Sequence, residues 1–213
     1  MDSLEIETSS SAERQESAKR QQILDGARKV FLAQGFDGAS MGEIARTAGV
    51  SKGTLYVYFD SKEQLFEVIA QQACAAQAEG VFSLDPADHD VEAVLTRLGR
   101  SFVKFLCRPG AMSPIRTVIS ISERMPEIGR AFYEAGPATG REMVRGYLEA
   151  QVAAGILAIE DCDLAAAQFL ESCSATIFKR LLFNAGDAPG EERIHYIVGN
   201  AVRTFLAAYQ RRA

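Results

Sequence analysis

A short run of residues between positions 51 and 56 combines the side-chain types that proteins use to bind and read DNA. Lys52 can neutralise a phosphate, and the small Ser51 and Gly53 allow the backbone to approach a groove. Tyr56 can reach base edges, which side chains contact in the major groove. The run predicts a recognition helix; an ordinary tight turn followed by half-buried tyrosines is the alternative interpretation.

The residues around this run carry the start and stop signals of short helices. Ser40 and Glu43 have the S-x-x-E spacing of a capping box, which predicts that a helix begins after Ser40. Gly49 follows where that helix would need a residue able to adopt a positive φ, and Ser51 can cap the next helix. A second capping box at Ser61 predicts a further helix. Together these signals favour a helix-turn-helix over an isolated tight turn.

The segment from about Gln21 to about Phe66 resembles the DNA-binding domain of TetR-family transcriptional regulators. The matching residues include Ile44-Ala45, the turn from Ala48 to Ser51 and the run from Gly53 to Phe59. Val57 departs from the polar or aromatic residue common in the family, and the resemblance implies that Lys62 binds a phosphate. The predicted DNA contacts are Ser40, Met41, Thr47, Ser51, Lys52, Gly53, Thr54, Tyr56, Tyr58 and Lys62.

The distribution of charge supports a DNA-binding segment in an otherwise acidic chain. The whole chain has a formal charge of -5, which taken alone argues against a nucleic-acid binder. Residues 17–62 hold seven Lys and Arg against four Asp and Glu, whereas the segments on either side are both acidic. Because so small an excess predicts few phosphate contacts, we expect a homodimer on a pseudo-palindromic operator in double-stranded DNA.

Composition and periodicity divide the chain into four parts. Residues 1–16 are polar, acidic and rich in serine, which predicts a disordered tail. We predict a helix-turn-helix domain at 17–62, a connecting helix at 63–80 and a C-terminal domain at 81–213. No apolar run is long enough for a signal peptide or a membrane span, so we expect a cytoplasmic protein with no membrane partner.

Beyond Gly80 the apolar residues recur at helical spacing, without the alternation that indicates strands. The predicted fold is all-α, with about nine helices: a three-helix helix-turn-helix domain followed by a helical ligand-binding and dimerisation domain. One strong apolar stripe runs from Val91 to Leu106. Another pattern, from Pro126 to Gly155, is interrupted at Gly136-Pro137, where a kink and a break are both open alternatives.

The last two predicted helices, roughly Leu164 to Phe183 and Glu191 to Arg212, carry apolar residues over wide arcs. Such a helix lies deep in a core or packs against the core and a partner at once. We favour the second alternative for the last helices of a small domain, and the TetR resemblance also implies a dimer interface there. The predicted interface residues are Phe169, Cys173, Leu181, Ile194, Ile197, Val202 and Phe205.

The stretch from Pro126 to Phe183 is similar to the AefR-like C-terminal domain of some TetR-type repressors. That resemblance implies a small, largely apolar effector bound between helices. Aromatic and Met residues at helical spacing form a core more often than a pocket, so for each candidate a core position and a pocket position are both open alternatives. The predicted ligand-binding residues are Phe102, Phe105, Met112, Ile119, Phe132, Met143, Phe169 and Phe178.

No nucleophile with its base, paired carboxylates, phosphate-binding glycine loop or metal-ligand spacing is recognisable, so we expect no enzyme, no cofactor and no metal. The four cysteines, Cys74, Cys107, Cys162 and Cys173, are widely spaced and are expected to be reduced. The sequence thus predicts a repressor that a ligand releases from DNA. A DNA-binding protein without an effector, or one controlled by a partner, is the alternative, and activation in place of repression is also open.

Overall fold

The structure is a computed structural model that describes the backbone of residues 3–211 and the side chains of residues 14–72 and 81–211. Within this part the regular structure is helical, apart from one isolated bridge between Leu157 and Gln210, which confirms the all-α fold. The helices are α1 (Ser3–Gly38), α2 (Met41–Ala48), α3 (Lys52–Tyr58), α4 (Lys62–Val81), α5 (Val91–Leu106), α6 (Met112–Ile121), α7 (Pro126–Tyr133), α8 (Thr139–Ala153), α9 (Cys162–Ser174), α10 (Phe178–Leu182) and α11 (Glu191–Tyr209).

The chain divides into two compact units, which we call the head (Met1–Gln72) and the body (Ala73–Ala213). The head extends beyond residue 62 because Leu65 and Ile69 on α4 are buried in its core. The other buried residues of that core are Ile23, Leu24, Ala27 and Val30 of α1, Ala39, Ile44 and Ala45 around α2, and Leu55 and Phe59 around α3.

Helix α1 begins at Ser3. The prediction of a disordered tail at residues 1–16 is therefore corrected, because the described backbone of that segment is helical from residue 3 onward. Neither glycine nor proline occurs between Ser3 and Asp25, so this stretch holds no residue that strongly disfavours a helix. Gly35 interrupts the helical backbone close to the end of α1, with φ 71° and ψ 174°.

The body is built around α5, α8, α9 and α11, which share one hydrophobic core. The predicted stripe from Val91 to Leu106 is confirmed as α5, which begins where Asp90 Oδ1 accepts a hydrogen bond from the Ala93 amide at 3.1 Å. Among the described residues no helix combines the length and the apolar character that a membrane span requires.

Of the two alternatives predicted at Pro137, the structure shows no break. Helix α7 continues into α8 through a π-helical turn, Glu134–Ala138, which contains the proline. The wider turn accommodates a residue that lacks an N-H. The Thr139 hydroxyl donates to the Glu134 carbonyl at 2.8 Å and so satisfies one acceptor within this turn.

The helix predicted from Leu164 to Phe183 is wrong, because the structure has two helices there, α9 and α10. The Ser174 hydroxyl donates to the carbonyls of Leu170 and Glu171 at 3.2 and 3.3 Å, and such back-bonding bends helices. Two segments that were each predicted as one helix are thus divided, one into α7 and α8 and the other into α9 and α10. The described chain therefore has eleven α-helices, whereas about nine helices were predicted.

Candidate nucleic-acid interface

Helix α2 begins as the capping pattern predicts, but only half of the capping box forms. The Glu43 amide donates to Ser40 Oγ at 3.2 Å. The Glu43 carboxylate instead pairs with Arg46, and this hydrogen bond raises the pKa of the guanidinium. Ser40 and Thr47 are exposed, whereas Met41 is half-buried against the head core.

The turn between α2 and α3 depends on a left-handed residue, as predicted. Gly49 has φ 66° and ψ 37°, and its amide donates to the Arg46 carbonyl at 3.2 Å. The side-chain amide of Gln22, on α1, donates to the Ala48 carbonyl at 2.6 Å. The end of α2 is therefore fixed both by its own backbone and by α1.

Helix α3 is capped by Ser51, whose Oγ accepts from the Thr54 amide at 2.9 Å and lies 2.8 Å from Thr54 Oγ1. Because these two hydroxyl groups bond to each other, each retains only part of its hydrogen-bonding capacity for DNA. Leu55 and Phe59 point inward and are buried, and Tyr58 is half-buried against the same core.

The outward face of α3 is formed by Lys52, Gly53, Tyr56 and Val57, all of them exposed. The Lys52 ammonium makes no hydrogen bond or ion pair with a described residue. It lies across the start of α2, where a Cβ on Gly42 would come within 3.3 Å of Lys52 Nζ. This face therefore presents an available cation beside side chains that can meet base edges.

Sequence reasoning omitted Val57 from the DNA contacts, yet its side chain is 82% exposed, more than Tyr56 at 51%. Tyr56 follows Lys52 by four positions, and Val57 follows Gly53 by four positions. This spacing places the four residues on one face of the helix. That spacing could have identified Val57. An exposed valine can contact the methyl group of a thymine.

Lys62 lies where the phosphate contact was predicted, but its ammonium is already occupied. Nζ donates to the carbonyls of Phe36, Asp37 and Ala39 at 2.8, 3.3 and 3.2 Å. It also lies 4.7 Å from the centre of the Phe36 ring. A lysine has three donors, so in this structure all the donors of the predicted phosphate contact are directed at backbone carbonyls.

The predicted ligand-binding residues are spread over the described part of the body and differ in burial. Two open clefts of about 650 and 340 Å³ lie in the body, and of the eight predicted residues only Phe178 lines either one. Ile119 and Met143 are 55% and 38% exposed, whereas Met112 and Phe169 are buried. Phe102 and Phe105 are half-buried against the body core, and Phe132 on α7 is also half-buried.

Six of the seven residues predicted for the dimer interface are buried within a single chain, so in this structure they present no surface to a partner. Phe169 and Phe205 form an edge-to-face ring pair at 5.5 Å. The apolar arc of α11 is wide because the helix packs against both α5 and α9. The six buried residues are Phe169, Cys173, Ile194, Ile197, Val202 and Phe205, and only Leu181 is partly exposed.

The described cysteines are free thiols, and Cys74 lies outside the described side chains. Burial raises the pKa of Cys173 to about 12 and also raises the pKa of Cys107. A thiol with a raised pKa is a poor nucleophile at neutral pH, because the thiolate is the reactive form.

Two family models match the chain, one in each part. The model described as "Bacterial regulatory proteins, tetR family" matches residues 23–69. The model described as "AefR-like transcriptional repressor, C-terminal domain" matches residues 93–211, more than half of the chain.

Solved structures resemble the chain over nearly its whole length. The flavonoid-responsive regulator FrrA is 30% identical, with a TM-score of 0.83, over 92% of this chain and all of FrrA. A TetR-family regulator from Mesorhizobium loti is 26% identical, with a TM-score of 0.84, over 92% of this chain and 98% of that chain.

Among curated proteins, the transcriptional repressor AcnR of Corynebacterium diphtheriae is 40% identical over 65 residues, which cover 30% of this chain. The match spans 34% of the length of AcnR.

Proposed function

Because the chain belongs to the TetR family and carries its AefR-like C-terminal domain, we propose that it is a dimeric repressor released from a pseudo-palindromic operator by a small, largely apolar effector. The exposed face of α3 carries this proposal. It places Lys52, Gly53, Tyr56 and Val57 together on the outer side of a helix whose opposite side is anchored in the head core. A helix of this kind fits a major groove.

Tight DNA binding requires two heads because one head has few positive charges available to contact phosphates. Lys52 has no partner among the described residues, whereas Lys62 is occupied by backbone carbonyls. Linking two weak sites makes the second contact intramolecular, so the dimer binds far more tightly than one head. A palindrome should therefore bind at least about a hundredfold more tightly than an isolated half-site.

A second copy would meet the outward face of α11, since its inward face is filled by the body core. Tyr196 is 59% exposed, and Gly199 and Asn200 follow it along that face. A small residue such as Gly199 lets a neighbouring helix approach closely. This surface replaces the buried residues of the sequence-based interface in our proposal.

The effector should bind in the body and change the separation of the two heads. Its effect is limited by its difference in affinity between the DNA-bound and released conformations. Since FrrA is by its name flavonoid-responsive, planar polyphenols are the first compounds to test.

The connector between α4 and α5 gives the body a fixed point from which movement could be transmitted. The Tyr147 hydroxyl donates to the Asp88 carbonyl at 2.9 Å, and burial raises the pKa of Tyr147 to about 12, so this donor keeps its proton. The side-chain amide of Gln151 donates to the Pro86 carbonyl and accepts from His89, each at 2.9 Å. Three hydrogen bonds thus hold the segment that follows α4 onto α8.

One observation favours a second candidate, a dimeric DNA-binding protein without a small-molecule effector. Of the eight predicted ligand residues only Phe178 lines either of the two clefts formed by described residues, and the larger cleft is lined by Asp90 and by mainly polar and charged residues of α5. In this alternative the body serves only for dimerisation or for control by a partner.

The test begins with DNA flanking the gene of this protein and with selection from random sequence. The repressor proposal expects one palindromic sequence to be enriched, and a half-site to bind much more weakly in gel-shift titration. Equal affinity for half-site and palindrome would contradict the dimer. If planar polyphenols and a broad apolar library leave operator affinity unchanged, the effector-free alternative replaces the ligand-released repressor.

A further inference from the structure

The Lys62 ammonium lies in a cage of backbone oxygens within the head. Its three hydrogen bonds join the first residue of α4 to residues 36–39, which comprise the end of α1 beyond the Gly35 interruption and the residue before the N-cap of α2. The sequence separations are 26, 25 and 23 residues. The Phe36 ring closes the cage from one side, 4.7 Å from Nζ. Lys62 is half-buried there, whereas Lys52 is exposed.

The bound carbonyls belong to the segment that orients α2. This segment follows the positive φ of Gly35 and ends at Ala39, immediately before the N-cap Ser40. Phe36 also packs against Phe66 of α4, with ring centres 5.4 Å apart. The same segment is therefore attached to α4 by a charged contact and by an aromatic one.

We propose that Lys62 is a positioning residue for DNA recognition, not a phosphate contact. Its ammonium fixes residues 36–39 to the start of α4, and this sets the position of α2 and hence of α3, which follows after a three-residue turn. To reach a phosphate the side chain would leave three carbonyls without their charged donor, two of them partly buried. The inference rests on the proposed operator binding by the head.

The phosphate and positioning roles predict different salt dependences. Each phosphate contact contributes about 0.9 to the slope of log affinity against log salt, or about 1.8 for a two-headed dimer. Lys62→Met keeps the length and the apolar packing but removes the donors, and Lys52→Met is the matched control at an exposed cation. The probe is the tightest palindrome selected from random DNA by the full-length protein.

We expect Lys62→Met to reduce operator affinity by about tenfold or more, with a salt slope unchanged from the wild type, since the variant lacks all three charge-assisted hydrogen bonds. Lys52→Met should lower the slope by about 1.8. Lys62→Arg retains the positive charge, but a planar guanidinium cannot direct three bonds from one nitrogen. It should also bind less tightly.

Three outcomes would overturn the proposal. The first is a slope for Lys62→Met that falls as it does for Lys52→Met. The second is wild-type affinity in Lys62→Arg, which would mean that charge alone matters. The third is wild-type affinity in Lys62→Met, measured well below its melting temperature, which would leave Lys62 a role in stability only.

Hydrogen exchange of the free protein separates this inference from the proposed function. Loss of the three Lys62 hydrogen bonds should accelerate amide exchange in residues 36–44 of Lys62→Met, whereas Lys52→Met should exchange like the wild type. If no DNA sequence is selected but this exchange increases, the operator proposal fails, whereas the conclusion that Lys62 holds this segment in place is retained. If exchange in that segment is unchanged, the positioning role fails whatever DNA is bound.

Discussion

Gly26 is a position in the head where an added methyl group would meet the backbone of a neighbouring helix. It lies on α1 where α2 crosses, and a Cβ there would come within 2.6 Å of Ala48 Cβ, 2.7 Å of its Cα and 2.8 Å of its backbone nitrogen. Two of these atoms are backbone and the third is attached directly to it. No rotamer change can relieve the clash, so Gly26→Ala must move α2 away from α1.

The required movement follows from those distances. Carbon atoms pack at about 3.5 Å or more, so α2 must withdraw by about 0.9 Å. Overpacking of this kind costs about 1–3 kcal/mol, and the better helix propensity of alanine offsets about 1 kcal/mol of that. The net loss of head stability is then about 0–2 kcal/mol, a modest effect.

Operator binding should suffer more than stability. Hydrogen bonds to bases require donor–acceptor distances of about 2.7–3.2 Å, so a shift of about 0.9 Å in the α2–α3 pair exceeds their tolerance. Breaking one hydrogen-bonded pairing between a side chain and a base costs about 1–3 kcal/mol, and both heads of a dimer are affected. We therefore expect affinity to fall by at least about tenfold, while the melting temperature falls by only a few degrees.

The matched control is Gly146→Ala in α8, where a Cβ would meet nothing within 4 Å. That variant should gain about 0.5–1 kcal/mol in the free energy of unfolding and keep wild-type operator affinity. Both variants can be compared by denaturant unfolding and by gel shift on the selected palindrome. A Gly26→Ala protein that melts at the wild-type temperature and binds with wild-type affinity would refute the close approach of α1 and α2.

Three further predictions concern the body. A Cβ on Gly99 would come within 2.8 Å of Val198 and 2.9 Å of Cys173 Sγ. Overpacking costs about 1–3 kcal/mol and the helix propensity of alanine offsets about 1 kcal/mol, so Gly99→Ala should lower the free energy of unfolding by about 0–2 kcal/mol, measured in urea. Because burial raises the pKa of Cys173 from 9.0 to about 12, its stabilisation is complete below pH 9 and is lost as pH rises toward 12. The loss should approach about 1.4 kcal/mol per pH unit, and Cys173→Ala should flatten this part of the pH profile. Tyr196→Glu should convert the proposed dimer to a monomer in sedimentation, whereas Ile119→Glu, an exposed control on α6, should not; equal effects would contradict the proposed α11 interface.

The sequence predicted the head well because its signals are local. Ser40 and Ser51 cap the amides three positions later, and Gly49 ends its own helix, so each acts within a few residues of chain. The partners of Lys62 lie 23 to 26 residues away, and nothing in the local pattern points to them. The fold class could therefore be predicted, whereas the role of this lysine required the three-dimensional structure.

The body shows the other limit of sequence patterns. A wide apolar arc, such as the one through Ile197 and Val202 on α11, indicates how much of the helix surface is buried. It does not indicate whether the same chain or a partner buries that surface. In the structure the neighbours are α5 and α9 of the same chain, which removed these residues from the proposed interface. The aromatic residues gave the same ambiguity, because Phe169 suits a ligand pocket or a core equally well and proves to be core.

The charge of the head explains why its binding should be easy to regulate. Of its cations, Lys62 is held by carbonyls, Arg46 pairs with Glu43, and Arg20 lies 5.2 Å from the Phe59 ring, so the excess of positive charge overstates what phosphates can meet. In the proposed dimer, a head of low intrinsic affinity depends on its partner head for tight binding. An effector that changed the separation of the heads would then need to alter only their geometry, because we expect the contacts of one head to be too few to keep the protein on DNA.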